Sequence, residues 1–341
     1  MNRRPTFLRS ALIVFGVLTA LILSGLLAGN LYLRHMLSRV HYVDPSTTPT
    51  LTQEQLDAYL ATDVPEPNMD VPTMNPEDIT FDAHGTQIGG DESRIINILL
   101  IGQDRQEGEP RARSDSIILC TFHPDTATLT MTSFLRDLYV KIPGYQDNRI
   151  NVAYAAGGMP LLNKTLENNF GIHVDGNIEV DFSQFARIVD LLGGVRIELR
   201  QDEASWINKH TGSNLSQGSQ LLSGDQALFY ARIRSLDADG DFSRTSRQRK
   251  LLSSLLEAYQ NASLSTLLTL LSDILPMITT DMTQTQIVGL ATDLFPLLAD
   301  LTVVSQQIPA DGTYSGKSIR GMSVLVADMD AARRLLEETL H

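Results

Sequence analysis

Residues 94–102 read RIINILLIG, and two later runs, SIILCTF (116–122) and TLTMTSFL (128–135), repeat that texture. Each has strand length, is rich in β-branched and large aliphatic side chains, and is bounded by Asp, Gly or Pro. That is the pattern of buried strands. Helical patterns follow in MPLLNKTLENNF (159–170), DFSQFARIVDLLGG (181–194) and SGDQALFYARIR (223–234), with VRIEL (195–199) as a strand after Gly194. Residues 241–299 read as helix interrupted at Pro276 and Pro296. TVVSQQI (302–308), MSVLVA (322–327) and a helix from Asp328 close the chain. Strands alternating with helices predict a layered α/β domain with helices on both faces of its sheet.

Ahead of this domain the composition changes twice. Residues 44–93 are polar and carry six of the fourteen prolines, which reads as a semi-rigid spacer. One short helix is expected at LTQEQLDAYL (51–60), where Thr52 and Gln55 have capping-box spacing. Residues 11–33 are 23 uncharged residues, and at about 1.5 Å per residue such a helix crosses a bilayer with some tilt. The run is too long for the apolar core of a cleaved signal. Arg3, Arg4 and Arg9 precede it and Arg34 and Arg39 follow, which favours a cytoplasmic N-terminus. The expected organisation is a cytoplasmic tail (1–10), a single membrane span (11–33), an extracytoplasmic linker (34–93) and an extracytoplasmic domain (94–341). Gly25 and Gly29 form a GxxxG pair through which two spans could pack, but it fixes no oligomeric state.

Composition narrows the chemistry. A net charge of −13 over 341 residues argues against a nucleic-acid partner. The single cysteine, Cys120, excludes an intrachain disulfide and sits in an apolar run as a core residue. The seven histidines show no zinc-ligand spacing, and the chain has no GxxxxGK[ST] loop and no GxSxG elbow. Gly193 and Gly194 read as a helix C-cap turn.

What remains is a constellation of aspartates and arginines at element ends. Asp104 follows the first strand, Arg113 and Asp115 open the second, and Arg136 and Asp137 end the third. Strand ends of an α/β sheet converge on the crevice where ligands bind. Two carboxylates on one connection suit a hard cation such as Mg²⁺, which takes a few carboxylates together with phosphate oxygens. The stretch FYARIRSLDADGDFSRTSRQRK (229–250) adds Arg232, Arg234, Arg244, Arg247 and Arg249 in a chain with 22 Arg and 5 Lys. Arginine holds multi-oxygen anions in a fixed fork, which lysine does not. Arg244 and Gln248 share a helix face; Arg247 and Arg249 are expected to be solvated.

The run GQD (102–104), RSDS (113–116), FLRD (134–137), RINVAYAAGG (149–158), VDLLGGV (189–195), LSGDQALFYARIR (222–234) and GDFSRTSRQ (240–248) resembles the LytR-CpsA-Psr family of cell-wall enzymes over residues 94–260. The resemblance implies a three-layer α/β/α sandwich with a mixed central sheet behind one N-terminal transmembrane helix. It implies a phosphotransferase that moves a glycopolymer from an undecaprenyl-pyrophosphate carrier onto a peptidoglycan hydroxyl through a phosphodiester, releasing undecaprenyl phosphate. Carried over by position, Asp104 and Asp115 would hold Mg²⁺, with Mn²⁺ as a substitute. Arg113, Arg136, Arg232, Arg234 and Arg244 would surround the pyrophosphate, with Gln248, Asp241 and Asp137 supporting them. The chain departs from the family pattern at Leu135, where proline is usual, and at Ala155–Ala156–Gly157, where an aromatic precedes glycine. The helices MPLLNKTLENNF and FARIVDLLGG are apolar enough to line a groove for the isoprenoid tail. Expected partners are the lipid-linked glycan, peptidoglycan and membrane lipid. The rival readings are a polyprenyl-pyrophosphate hydrolase and a non-catalytic module that anchors wall polymer.

Overall fold

The structure is a computed structural model that describes residues 32–61, 71–79, 81, 95–103, 111–237 and 240–340. Its centre is a mixed sheet, seven-stranded among the described residues. The strands are β1 (His41–Tyr42), β2 (Ile96–Gln103), β3 (Ser114–His123), β4 (Thr128–Phe134), β7 (Gly176–Asp181), β10 (Thr279–Thr280) and β11 (Thr302–Ile308). Their order is β1-β10-β7-β2-β3-β4-β11. The hairpin meander β2-β3-β4 is antiparallel, while β7 joins β2 and β11 joins β4 in parallel. Three small two-stranded ribbons lie outside it: β5 (Tyr139–Val140) with β6 (Asn148–Arg149), β8 (Val195–Leu199) with β9 (Gly218–Leu222), and β12 (Tyr314–Ile319) with β13 (Met322–Ala327).

Side chains alternate across the sheet, and the two faces have different fates. On one face Leu99, Ile101, Ile117, Leu119 and Phe134 are buried against α2 (Ile150–Phe170) and α9 (Met329–Leu340), which contribute Leu162, Leu166, Phe170 and Leu336. This core is closed. On the other face lie α3 (Phe182–Leu191), α4 (Gln201–Thr211), α5 (Gly224–Ala231) and α6 (Asp241–Tyr259), which with β8 and β9 form a second core around Ile197, Ile207 and Tyr230. None of the central strands contributes to that second core. Leu100, Ile118, Ile178 and Val180 therefore face the helical layer across a slot of about 700 Å³, counting its open mouth. An unfilled apolar face forgoes about 1.5–3 kcal/mol for each large aliphatic side chain left without a partner.

MPLLNKTLENNF lies on the closed face, with Leu161, Leu162 and Leu166 in its core, so it lines no groove. FARIVDLLGG contributes Phe185 to the slot. Part of the stretch expected as a spacer packs on the domain. Leu56 of α1 (Gln53–Ala61) is 1% exposed in the main core, β1 extends the sheet, and Thr73 bridges Ser318 of β12. Thr52 and Gln55 cap α1 reciprocally, Thr52 N donating to Gln55 Oε1 (2.8 Å) and Gln55 N to Thr52 Oγ1 (3.2 Å). Pro276 and Pro296 break the helical stretch after α7 (Leu264–Ile274) and α8 (Gln284–Leu294), as expected. Among the described residues no helix is long and apolar enough to cross a membrane. All but two residues of the span expected at 11–33, with Gly25 and Gly29, lie outside the described residues.

Candidate functional site

The slot opens at the end of the sheet where β2 stops and β3 starts, and there a polar pocket of about 640 Å³ continues it. Phe182, Arg232 and Gln248 line both cavities; Asp115, Arg136, Arg234 and Arg244 line the pocket alone. Local sequence explains why these side chains meet. Asp115 is the second residue of β3, and Arg136 follows the end of β4 by two residues. A capping box between Asp181 and Gln184 starts α3 and fixes Phe182 as its first residue. A second box, Ser223 with Gln226, starts α5, whose last turn delivers Arg232 as its C-cap. Gly224 lets α5 approach α3: a Cβ there would meet the Ala186 carbonyl oxygen at 1.9 Å. Its N–H donates to Asp190 Oδ1 at 2.7 Å. Arg244 and Gln248 then project from one face of α6.

The arginines are held by a minority of acids. Arg136 Nη1 bonds Asp115 Oδ1 at 2.8 Å, and its Nε lies 3.6 Å from Asp137 and 3.9 Å from Asp241. Arg244 Nη2 pairs with Asp241 Oδ1 at 2.8 Å and donates to the Asp115 carbonyl at 3.2 Å. Arg234 Nε stands 3.8 Å from Asp241. The Arg232 guanidinium sits 5.0 Å above the Phe182 ring, a cation–π contact at the junction of slot and pocket. Ser116 Oγ donates to Gln248 Oε1 at 3.0 Å. Burial works against the charge on Arg136, but Asp137, Asp115 and Asp241 more than offset it and raise its pKa. Asp241 is pushed up to about 6, by burial first and by Asp137 and Asp115 next, against the pull of Arg136 and Arg234. The buried Nε of Arg244 has no hydrogen-bond partner among the described residues. Such a pocket favours a ligand that brings several anionic oxygens.

Seven residues singled out in the sequence therefore meet: Asp115, Arg136, Arg232, Arg234, Asp241, Arg244 and Gln248. Asp137 sits behind them, between Arg136 and Arg149 (3.4 Å from Arg149 Nη1), and so positions arginines. Arg113 immediately precedes β3, half-buried and outside the pocket lining. Asp104 lies outside the described residues. The sequence reading missed Phe182, Arg149 and Ser116. An aromatic just inside a capping box was the available signal for Phe182; nothing local marked the other two.

The expectation that Arg247 and Arg249 are solvated is wrong. They are 4% and 6% exposed. Arg247 crosses to α4, bonding Glu203 at 2.9 Å and Asp237, because the turn after α5 folds Asp237 back over the helical layer. Arg249 packs on β11, where it bonds Ser305. Cys120 is half-buried in β3, its thiol pushed up to about 12 by burial.

Among the described residues no three His, Cys, Asp or Glu side chains cluster as a metal cage. Asp115 offers a partly exposed carboxylate at the pocket wall, with one oxygen committed to Arg136. That donor set suits Mg²⁺, which is commonly bound through one or two carboxylates and the substrate's own phosphates.

The LytR_cpsA_psr family model matches residues 60–340. Regulatory protein MsrR of Staphylococcus aureus (strain COL) is 38% identical over 168 residues, 49% of this chain and 50% of the relative. The chain thus spans about half the length of the curated relatives it first matches. The polyisoprenyl-teichoic acid–peptidoglycan teichoic acid transferase TagU of Bacillus anthracis (strain CDC 684 / NRRL 3495) is 34% identical over 236 residues, covering 67% of this chain and 73% of TagU. Among solved structures, the LytR-CPS2A-psr family protein YwtF (TagT) with bound octaprenyl pyrophosphate lipid superposes with a TM-score of 0.57. It is 26% identical, over 75% of this chain and 95% of that one.

Proposed function

The chain belongs to the LytR-CpsA-Psr family, and on that premise we propose that it is a glycopolymer–peptidoglycan phosphotransferase using an undecaprenyl-pyrophosphate-linked donor. The observation that carries this reading is the continuity of the two cavities. An apolar slot runs into an arginine-ringed pocket through Phe182, Arg232 and Gln248. One ligand with an apolar tail and a multiply anionic head satisfies both halves. The binding of octaprenyl pyrophosphate by a family member and the transferase description of TagU support the same assignment.

In the reaction, the oxygen of a peptidoglycan hydroxyl attacks the phosphorus that carries the sugar. The bond from that phosphorus to the bridging oxygen breaks, the electron pair stays with undecaprenyl phosphate, and the hydroxyl proton is released. The glycopolymer ends on peptidoglycan through a phosphodiester. Phosphoryl transfer asks the protein mainly to position groups and to stabilise charge on phosphate oxygens. Arg136 and Arg244 are fixed in place by Asp115 and Asp241. Arg232 is oriented by Phe182 and stands where tail gives way to head. Arg234, 42% exposed, can follow the glycan-bearing phosphate. Each charge-assisted hydrogen bond contributes about 1.5–3 kcal/mol. We assign Mg²⁺, or Mn²⁺ in its place, to Asp115 together with Asp104; the cation would supply further neutralisation of the pyrophosphate. From the uncharged run at 11–33 and the arginines around it we propose that the domain lies on the outer side of the cell membrane, tethered by that run.

The test uses the full chain in detergent micelles with a polyprenyl-pyrophosphate-linked sugar, Mg²⁺ and a peptidoglycan oligosaccharide. Sugar phosphate on the oligosaccharide, lost in Asp115→Ala and Arg232→Ala, is the expected result. Free sugar phosphate alone would make the protein a hydrolase. Binding without turnover, indifferent to Asp115→Ala, would make it an anchoring module.

A further inference from the structure

Helix α6 has a second face. Where Arg244 and Gln248 point into the arginine-lined pocket, Phe242, Ser243, Ser246 and Arg249 point the other way, across a separate polar pocket of about 790 Å³, counting its open mouth. Its far wall is the edge strand β11, through Ser305 and Gln307, with Asp311 beyond. Arg249 is the unusual member. It is 6% exposed, and both of its hydrogen bonds go to neutral acceptors: Nε to Ser305 Oγ at 2.7 Å and Nη2 to Gln307 Oε1 at 3.3 Å. Nη1 is buried and has no hydrogen-bond partner among the described residues.

A buried guanidinium without a carboxylate is costly. Burial pulls Arg249 down to about 10, and among the described residues no carboxylate pairs with it directly; Asp311 reaches it only through Gln307. Two residues earlier on the same helix, Arg247 is neutralised by Glu203 and Asp237, so the helix does not lack for acids where the charge is structural. Around Arg249 the pocket presents the hydroxyls of Ser243, Ser246 and Ser305, the amides of Gln306 and Gln307 and the carboxylate of Asp311, groups that can hydrogen-bond a hydroxyl-rich ligand. Gln307 also donates to Asp311 at 3.1 Å, so its amide is already oriented, with Oε1 toward Arg249. One cation is too little for a pyrophosphate, which the neighbouring pocket meets with four arginines. It matches a ligand with a single anionic group among hydroxyls.

We infer that the Arg249 pocket is a second substrate subsite, which binds an acidic saccharide through one carboxylate or phosphodiester group at the Arg249 guanidinium in its wall. The binding is independent of the transferase reading; only the saccharide's identity rests on it. A carboxylate-bearing sugar would be the acceptor glycan, and a phosphodiester the transferred polymer.

The experiment measures binding to the full chain in micelles by calorimetry, with geranyl pyrophosphate present to occupy the first site. Three probes are compared: N-acetylglucosaminyl-N-acetylmuramic acid, glycerophosphoglycerol and neutral chitobiose. One acidic probe is expected to bind at least about tenfold more tightly than chitobiose, and which one does so identifies the source. Arg249→Gln should abolish that preference and leave geranyl pyrophosphate affinity unchanged. Ser246→Trp, at the exposed rim, should block the same probe with an unchanged melting temperature, and it decides the matter if Arg249→Gln does not fold. Failure of both acidic probes, equal binding of chitobiose, or full binding by the Ser246→Trp protein would overturn the inference. Loss of transfer with saccharide binding intact would instead count against the transferase reading.

Discussion

Asp237 and Asp241 stand four residues apart, both beside arginines, and their carboxyls are driven in opposite directions. Burial pushes Asp237 up, but Arg247 and Arg200 more than reverse it, and it ends below the usual carboxylate range. Asp241 is raised to about 6. The neighbourhoods explain the difference. Around Asp237, Arg200 and Arg247 meet Asp202, Glu203 and Asp237 in short contacts that leave each acid well matched. Around Asp241, three aspartates crowd one buried end of an arginine group, and the fourth arginine, Arg232, leans on Phe182. The first cluster is complete as it stands and ties α4 to α6. Among the described residues the second lines one pocket with four arginines against fewer acids, which suits a ligand that brings negative charge of its own. A count of arginines does not tell a site from a strut; the balance of acids does.

The sharpest way to break this contrast is Arg247→Ala. It strands Glu203, which is 5% exposed, and should destabilise the fold by about 3–5 kcal/mol in urea or thermal unfolding, with activity per folded molecule retained. Arg136→Ala should be read in turnover instead: transfer per folded molecule falls by about 10²–10³-fold in a steady-state assay, beyond whatever stability is lost with its three aspartate contacts. A smaller effect comes from Asp241. Its raised folded pKa means that its stabilising contribution is present below its unfolded value of 3.8 and is lost as pH rises through about 6. Protonation also removes a negative charge from the pocket. Metal-free wild type should therefore gain affinity for geranyl pyrophosphate between pH 7.5 and 5.5 relative to Asp241→Asn, by several-fold. The same pH response in both proteins would remove Asp241 from the account. The least consequence is expected for Arg200→Ala. Its guanidinium is about half exposed, so its bridges to Asp202 and Asp237 are screened, and because Arg247 still holds Asp237 their loss should cost only about 1 kcal/mol.

Much of this was legible in the sequence where one residue type does one job. The three apolar runs became β2, β3 and β4, and the aspartates and arginines at their ends converged because the sheet brings strand termini together. β7 was not legible. Its Asn177 and Glu179 are polar on the side facing the closed core, Asn177 bonding Asp281 and Glu179 bonding Gln103 and Tyr154, so GNIEVD shows no apolar run. Arg247 and Arg249 misled for a related reason. Glu203 and Ser305, which bury them, sit 44 and 56 residues away in sequence, and no local pattern announces a buried guanidinium. The slot was invisible because it is a property of two cores that do not touch, while each run of apolar residues looks like ordinary packing.

Those two separate cores change what a bound tail is. In most folds the layer between sheet and helices is made of the chain's own side chains. Here Leu100, Ile118, Ile178 and Val180 face Leu228, Leu251 and Leu252 with room between them, so under the proposed function an isoprenoid would take the position of missing side chains. The carrier lipid would then be a removable piece of the hydrophobic interior. Its occupancy adds to the stability of the folded state, by about 2.7 kcal/mol at a concentration a hundredfold above its dissociation constant.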